Sequence, residues 1–379
     1  MIYLDNSATT KPDPGVLKSF EQISSHYFAN PSSIHPFGGE AEKLLNMAKK
    51  QAAELLKVRQ EEVVFTSGGT EGNNMAIKGI ALQHQQRGKH VITTEIEHPS
   101  VFEACKSLET LGFDVTYLPV DQSGVVSVKD IQKAIREDTI LISVMHVNNE
   151  LGSIQPIKEI ADLAATYPKI FFHVDDVQGL GKVPLSLSHP GINLCTISGH
   201  KINGLKGTGI LYVDNRTTLF PLFHGGEQER NLRSGTENVA GSVSIVKALR
   251  LIKDKETSML DHLYEVQAFL LHRLKDISEV DINTAEKAAP HIVNFSVPGI
   301  KPEVIIHMLA EKEIFISTKS ACSSKQSDES KILAACGFSR ARTISALRVS
   351  LSFETTKEEI QHFIDNLKKA INQFKKVME

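Results

Sequence analysis

The chain has 379 residues, 41% apolar and 23% charged, with a formal net charge of -3, which suits a globular protein with one large and one smaller unit. That charge supplies no global attraction to nucleic acid or an anionic membrane, and apolar runs such as 140–147 are too short to span a bilayer. The start, Met1-Ile2-Tyr3-Leu4-Asp5, carries neither a basic leader nor an apolar signal segment, so a cytoplasmic protein without direct nucleic-acid or membrane contacts is expected.

Strand-like runs centre on Val63, Val91, Val115, Ile142, Phe172, Leu194 and Leu211, and for the most part alternate with helical segments. This pattern predicts an α/β fold whose mainly parallel sheet is covered by helices on both faces. Helical periodicity then persists over 238–277, longer than a typical globular helix, and reads as two helices or as one that crosses a boundary. A second alternation follows, with strands near Val293, Phe315 and Leu347 and helices near Ile306, Ile332 and Ile360. It predicts a smaller α+β unit.

Chemistry-bearing residues recur where these strands end. Lys201, in Ser198-Gly199-His200-Lys201, follows the apolar run 192–197 and precedes the glycine-rich stretch 204–209. A lysine amine placed there is suited to hold a carbonyl cofactor as a Schiff base, although lysines near glycines are also common on surfaces. The segment 66–74, with Gly69 and Thr70 between a strand and a helix, offers backbone N–H groups and a helix dipole to a phosphate. It lacks the residue order of a P-loop. Asp175 closes the apolar run 170–174 and would keep a pyridine nitrogen protonated, and Gln178 is placed to reach a phenolic oxygen on the same ring. His98, before Pro99, offers a flat partner for the ring face, and Asn149 a group to orient cofactor or substrate. Singly, each has an ordinary explanation as a cap or turn residue. Together they meet the needs of pyridoxal 5'-phosphate at the strand ends where open α/β sheets bind ligands.

Of the four cysteines, Cys105, Cys195 and Cys336 fall in apolar contexts and are expected to be buried thiols, and no metal-ligand spacing is present. Cys322 differs. It lies in the serine-rich stretch 317–330 between Lys319 and Lys325, a composition that predicts an exposed, mobile loop and favours the thiolate.

With these residues in view, the chain resembles the cysteine desulfurases, a branch of the class V aminotransferase-like, fold type I pyridoxal phosphate enzymes. The matching segments are 3–10, 30–35, 66–74, 97–98, 146–150, 173–175, 198–201, 233–236 and 320–324, in one consistent order. The resemblance implies removal of sulfur from L-cysteine to give L-alanine, with Lys201 as cofactor lysine and base, His98 assisting proton transfers, and Cys322 taking the sulfur as a persulfide. It implies cofactor contacts from Ser198 and His200, a substrate-carboxylate contact from Arg348, and a homodimer in which Thr236 reaches the partner subunit's cofactor. A sulfur-acceptor protein is implied too, in iron–sulfur assembly, tRNA thiolation or thiamin synthesis. Under this resemblance the large cofactor-binding domain spans 16–259, and the small domain comprises 1–15 with 260–379. Another class V activity, such as a selenocysteine lyase or aminotransferase, and a non-catalytic sulfur-relay scaffold are the alternatives. Asp176, Leu205, Glu227, Asn231 and Lys319 depart from the family's usual residues. Strand alternation predicts that Asp176 faces away from Asp175, and Glu227 is expected to point outward.

Overall fold

The computed structural model describes residues 1–318 and 329–378. Its strands are β1 (Ile2–Tyr3), β2 (Val63–Thr66), β3 (His90–Thr94), β4 (Asp114–Leu118), β5 (Thr139–Met145), β6 (Phe171–Asp175), β7 (Leu194–Ser198), β8 (Gly209–Val213), β9 (Asp281–Ile282), β10 (Ile292–Ser296), β11 (Ile314–Phe315) and β12 (Ala346–Ser350). The helices that position the site are α1 (Pro14–His26), α2 (Pro36–Leu56), α3 (Gly69–His84), α4 (Pro99–Glu109), α5 (Val128–Ala134), α6 (Ile157–Ala165) and α7 (Val239–Lys275). They are followed by α8 (Pro302–Ala310), α9 (Lys331–Ala335), α10 (Arg340–Thr343) and α11 (Lys357–Met378).

A seven-stranded sheet in the order β2-β8-β7-β6-β5-β3-β4 forms the frame. Only β8 runs against its neighbours β2 and β7, so the C-terminal ends of the other six lie along one edge. The inner strands are mostly apolar because helices cover both faces, and the polar side chains buried among them, Ser143, His173 and Thr196, hydrogen-bond to one another across β5, β6 and β7. Along β8 the side chains alternate: Leu211 and Val213 pack with Ile77, Ile80, Val101 and Leu108 of α3 and α4. Ile210 and Tyr212 join the opposite core with Leu45 of α2, Ile160 of α6 and Ile245 of α7. Each such aliphatic side chain contributes about 1.5–3 kcal/mol by leaving water.

The long periodic stretch is one helix. α7 runs 37 residues, capped at its start by Asn238, whose side chain accepts from the Gly241 amide at 2.9 Å. It also packs against α11 and β10, so it spans from the large sheet to the three-stranded antiparallel sheet β12-β10-β9. The N-terminal segment belongs with this C-terminal part: β1 pairs in parallel with β11, and Asp5 bridges to Ser350. Among the described residues no helix is long and apolar enough to cross a membrane.

Candidate active site

A cleft of about 740 Å³, open to solvent, lies along the edge where the parallel strands end. Gly69, Thr70, His98, Asn149, Asp175, Gln178, Ser198, His200, Lys201 and Arg348 all line it. The strand ends deliver most of them: β6 ends on Asp175, β7 on Ser198 three residues before Lys201, and α3 begins at Gly69. Gly68 holds a backbone φ of 146° at that helix start, which a side chain would strain.

Asp175 is buried and accepts hydrogen bonds from the Val177 amide at 3.0 Å and from Asn73 Nδ2 at 2.7 Å. Burial pushes its carboxyl up to about 6, an environment that favours a cationic partner for its charged form. Asn73 Nδ2 also donates to Ser100 Oγ at 2.9 Å, and Ser100 Oγ meets His98 Nδ1 at 2.7 Å. The Ser100 amide donates to the same Nδ1 at 3.1 Å. With Nδ1 accepting, neutral His98 carries its proton on Nε2. Burial, with the Lys201 charge second, lowers His98 to about 4, so the ring is neutral at physiological pH. His200 is likewise held near 4, by burial first and then by the charges of Lys201, Lys206 and His98.

Lys201 Nζ donates to the carbonyls of Ser7 and, at 2.9 Å, Ala8. Gln178 Nε2 donates to the same Ser7 carbonyl at 3.0 Å, so the N-terminal segment is tied to the lysine and to the end of β6. Arg348 donates to the Asn149 carbonyl at 2.7 Å and pairs with Asp5 at 3.1 Å. The cleft fits pyridoxal phosphate on these observations. It offers a buried carboxylate with a raised pKa, a lysine amine and a glycine-started helix end, and Ser198 Oγ is buried without a hydrogen-bond partner.

Asp176 behaves as strand alternation predicts. Its Oδ1 meets His146 Nδ1 at 2.7 Å, both groups buried, and it does not line the Lys201 cleft. Gly179 must be glycine here, because a Cβ would fall 2.3 Å from both Asp176 Oδ1 and His146 Nδ1. Nearby, buried Lys182 donates to the Lys201 carbonyl at 3.0 Å. Burial lowers Lys182 to about 8, against the opposing charge of Asp176. Glu227 is exposed, Asn231 adopts φ 63°, a region that asparagine tolerates where glycine is usual, and Leu205 packs against the core.

Thr236 does not reach this cleft within one chain. It is exposed and lines a separate cavity of about 660 Å³ with Thr66, Ser67 and Arg233. Cys322 and Lys319 lie outside the described residues. Cys105, Cys195 and Cys336 are buried free thiols, and burial raises all three. Sequence reasoning gave no role to Asn73, Ser100, Ser7, Lys182, His146 or Asp5. Only Asn73 left a spacing signal, since it follows Gly69 and Thr70 at the four- and three-residue steps that share a helix face.

The model of the family described as "Aminotransferase class-V" matches residues 2–363. The chain belongs to the class V aminotransferase family. Among the chain's relatives, a "NifS/IcsS protein homolog" of Lactobacillus delbrueckii subsp. bulgaricus is 44% identical over 100% of this chain and 99% of its own. "Cysteine desulfurase IscS" of Dictyoglomus turgidum is 40% identical over 99% and 96%. A solved structure titled "NIFS-LIKE PROTEIN" matches with a TM-score of 0.92 at 34% identity, covering 98% of this chain and 99% of that one. Another, titled "SspA in complex with cysteine", matches with a TM-score of 0.82 at 34% identity, covering 93% and 99%. The fold expected from the sequence, an α/β unit with a mostly parallel sheet flanked by helices, is the fold shared with these solved structures.

Proposed function

We infer that this protein is a pyridoxal phosphate-dependent cysteine desulfurase, releasing L-alanine from L-cysteine and passing the sulfur to an acceptor. The observation that carries this reading is the convergence of Lys201, Asp175, His98 and Arg348 on one cleft, in a chain similar over nearly its whole length to cysteine desulfurases. When bound, the cofactor supplies a protonated pyridine ring that withdraws electrons from the substrate Cα.

The side chains divide the remaining work. Lys201 holds the cofactor and moves the proton at Cα, and Asp175, already hydrogen-bonded by Asn73, keeps the ring nitrogen cationic. Gly69, Thr70, Ser198 and His200 hold the phosphate end, and Gln178 the phenolic oxygen. His98, a neutral imidazole, would offer the ring a flat partner and its Nε2 proton to the reacting atoms, while Asn149 would orient the substrate beside Arg348. Arg348 takes the substrate carboxylate, for which a guanidinium fork is suited. Cys322 thiolate attacks the substrate sulfur. The new S–S bond forms as the C–S bond breaks, and the electron pair left on carbon takes a proton on the way to alanine.

The same reading extends to assembly. We assign residues 16–259 to the cofactor-binding domain, and 1–15 with 260–379 to a smaller one. The pairing of β1 with β11 supports that division. The exposed position of Thr236 outside the cleft supports a homodimer in which it serves the partner's phosphate. The sulfur leaves for an acceptor in iron–sulfur assembly, tRNA thiolation or thiamin synthesis, and the enzyme works in the cytoplasm.

The test is incubation with L-cysteine, measuring alanine and sulfide. The wild type releases both. Cys322→Ser keeps its colour and binds substrate yet yields almost no product. Equal product from the two proteins would contradict the role of Cys322.

A further inference from the structure

Arg348 is 1% exposed, the largest fully buried side chain among the described residues, and three of its five N–H donors are committed to partners among those residues. Nη1 donates to the Asn149 carbonyl at 2.7 Å. Nη2 donates to Asp5 Oδ1 at 3.1 Å and to Ser317 Oγ at 2.9 Å. Nε is buried without a partner. A guanidinium grips a carboxylate bidentately through two parallel N–H bonds on one edge, and each such edge, Nε with Nη2 or Nη1 with Nη2, includes Nη2. Both Nη2 hydrogens are already taken. A substrate carboxylate gripped bidentately therefore has to displace one of the two neighbours.

We propose that the Asp5 carboxylate is a built-in stand-in for the substrate carboxylate, holding Arg348 while the site is empty and yielding it to the incoming amino acid. Asp5 rather than Ser317 is the group that leaves. A second carboxylate on one guanidinium repels the first, whereas the serine hydroxyl is neutral. Ser317 is also fixed to Arg348 by two backbone hydrogen bonds, at 3.1 and 2.7 Å. The Asp5 side chain is 21% exposed and can turn into water. The exchange keeps the buried guanidinium paired in both states, since an uncompensated buried charge is costly. It also makes Asp5 a determinant of amino-acid affinity, because every substrate has to outcompete it.

This inference rests on Arg348 as the carboxylate site, and the experiment separates the two claims. Pyridoxal phosphate-loaded wild type and Asp5→Asn are titrated calorimetrically with L-alanine and with cysteamine, which lacks the carboxylate, and KM and kcat for L-cysteine are measured. Removing the competing charge is expected to tighten L-alanine binding by about threefold or more, the scale of a partly exposed ion pair, and to lower KM by a similar factor. Cysteamine affinity is expected to stay unchanged. L-alanine binding that is unchanged or weaker in Asp5→Asn overturns the proposal, as does an equal gain for cysteamine. Asp5→Ser gives the same reading should the asparagine variant fold poorly. Arg348→Lys is the second arm: unaltered L-alanine affinity there refutes the carboxylate site itself, whereas weakened binding there with no gain in Asp5→Asn refutes only the stand-in.

Discussion

Asp175 and Asp176 are adjacent, yet they face different chemistry. The first accepts from Asn73 and Val177 inside the cleft, and the second is paired with His146 on the other side of the strand. Removing the Asp176 carboxylate leaves buried His146 Nδ1 without its hydrogen-bond partner, so Asp176→Ala is expected to cost about 1–3 kcal/mol of stability. Urea denaturation of the apoprotein checks this. Cofactor affinity, measured by equilibrium dialysis, is expected to stay within about threefold, because Asp176 points away from the cleft. A variant as stable as the wild type would contradict the pairing, and one that is stable but fails to bind the cofactor would contradict the separation of faces. Asp175, His98 and Lys201 were legible in the sequence because each sits at the end of an apolar run. The Asn73–Ser100 relay was not, since it joins two helices separated in sequence and only tertiary packing brings them to 2.9 Å. The Ser7 carbonyl that meets Lys201 and Gln178 was illegible for a simpler reason: every residue has a carbonyl.

The strand ends are also where elements are tied to one another. Glu97, just after β3, accepts from Thr94 at 2.7 Å and from the Met145 amide at the end of β5 at 3.1 Å. Burial raises its carboxyl to about 8. Because this folded value lies above the ordinary one, the stability from the protonated group is complete below pH 4.5 and declines as the pH rises toward 8. Glutamine copies the shape of the protonated acid and does not titrate. Glu97→Gln is therefore expected to gain stability over the wild type between pH 5 and 8, by up to about 1.4 kcal/mol per pH unit. Denaturant midpoints across that range are the check, and parallel profiles would contradict the buried proton. At this scale most strands were readable from apolar runs, and α7 resolved an ambiguity that periodicity left open. The reversed direction of β8 was not readable, because a strand buried on both faces has the same composition whichever way it runs.

Across the whole molecule, the first residues and the last strand enclose the cleft. Ser7 and Ala8 meet Lys201 across 194 and 193 positions of sequence, and Asp5 meets Arg348 across 343, joined because the N-terminal segment pairs with β11 and β12. That closure was legible only through resemblance, since no periodicity in a strand of two residues announces its partner. Lys201 as the cofactor lysine underlies every step proposed for this site. Reduction of the purified, coloured protein with borohydride, followed by proteolysis and mass spectrometry of the peptides, tests this directly. A pyridoxyl phosphate adduct on Lys201 alone is the expected result, and an adduct on Lys182 or another lysine, with Lys201 unmodified, would contradict it.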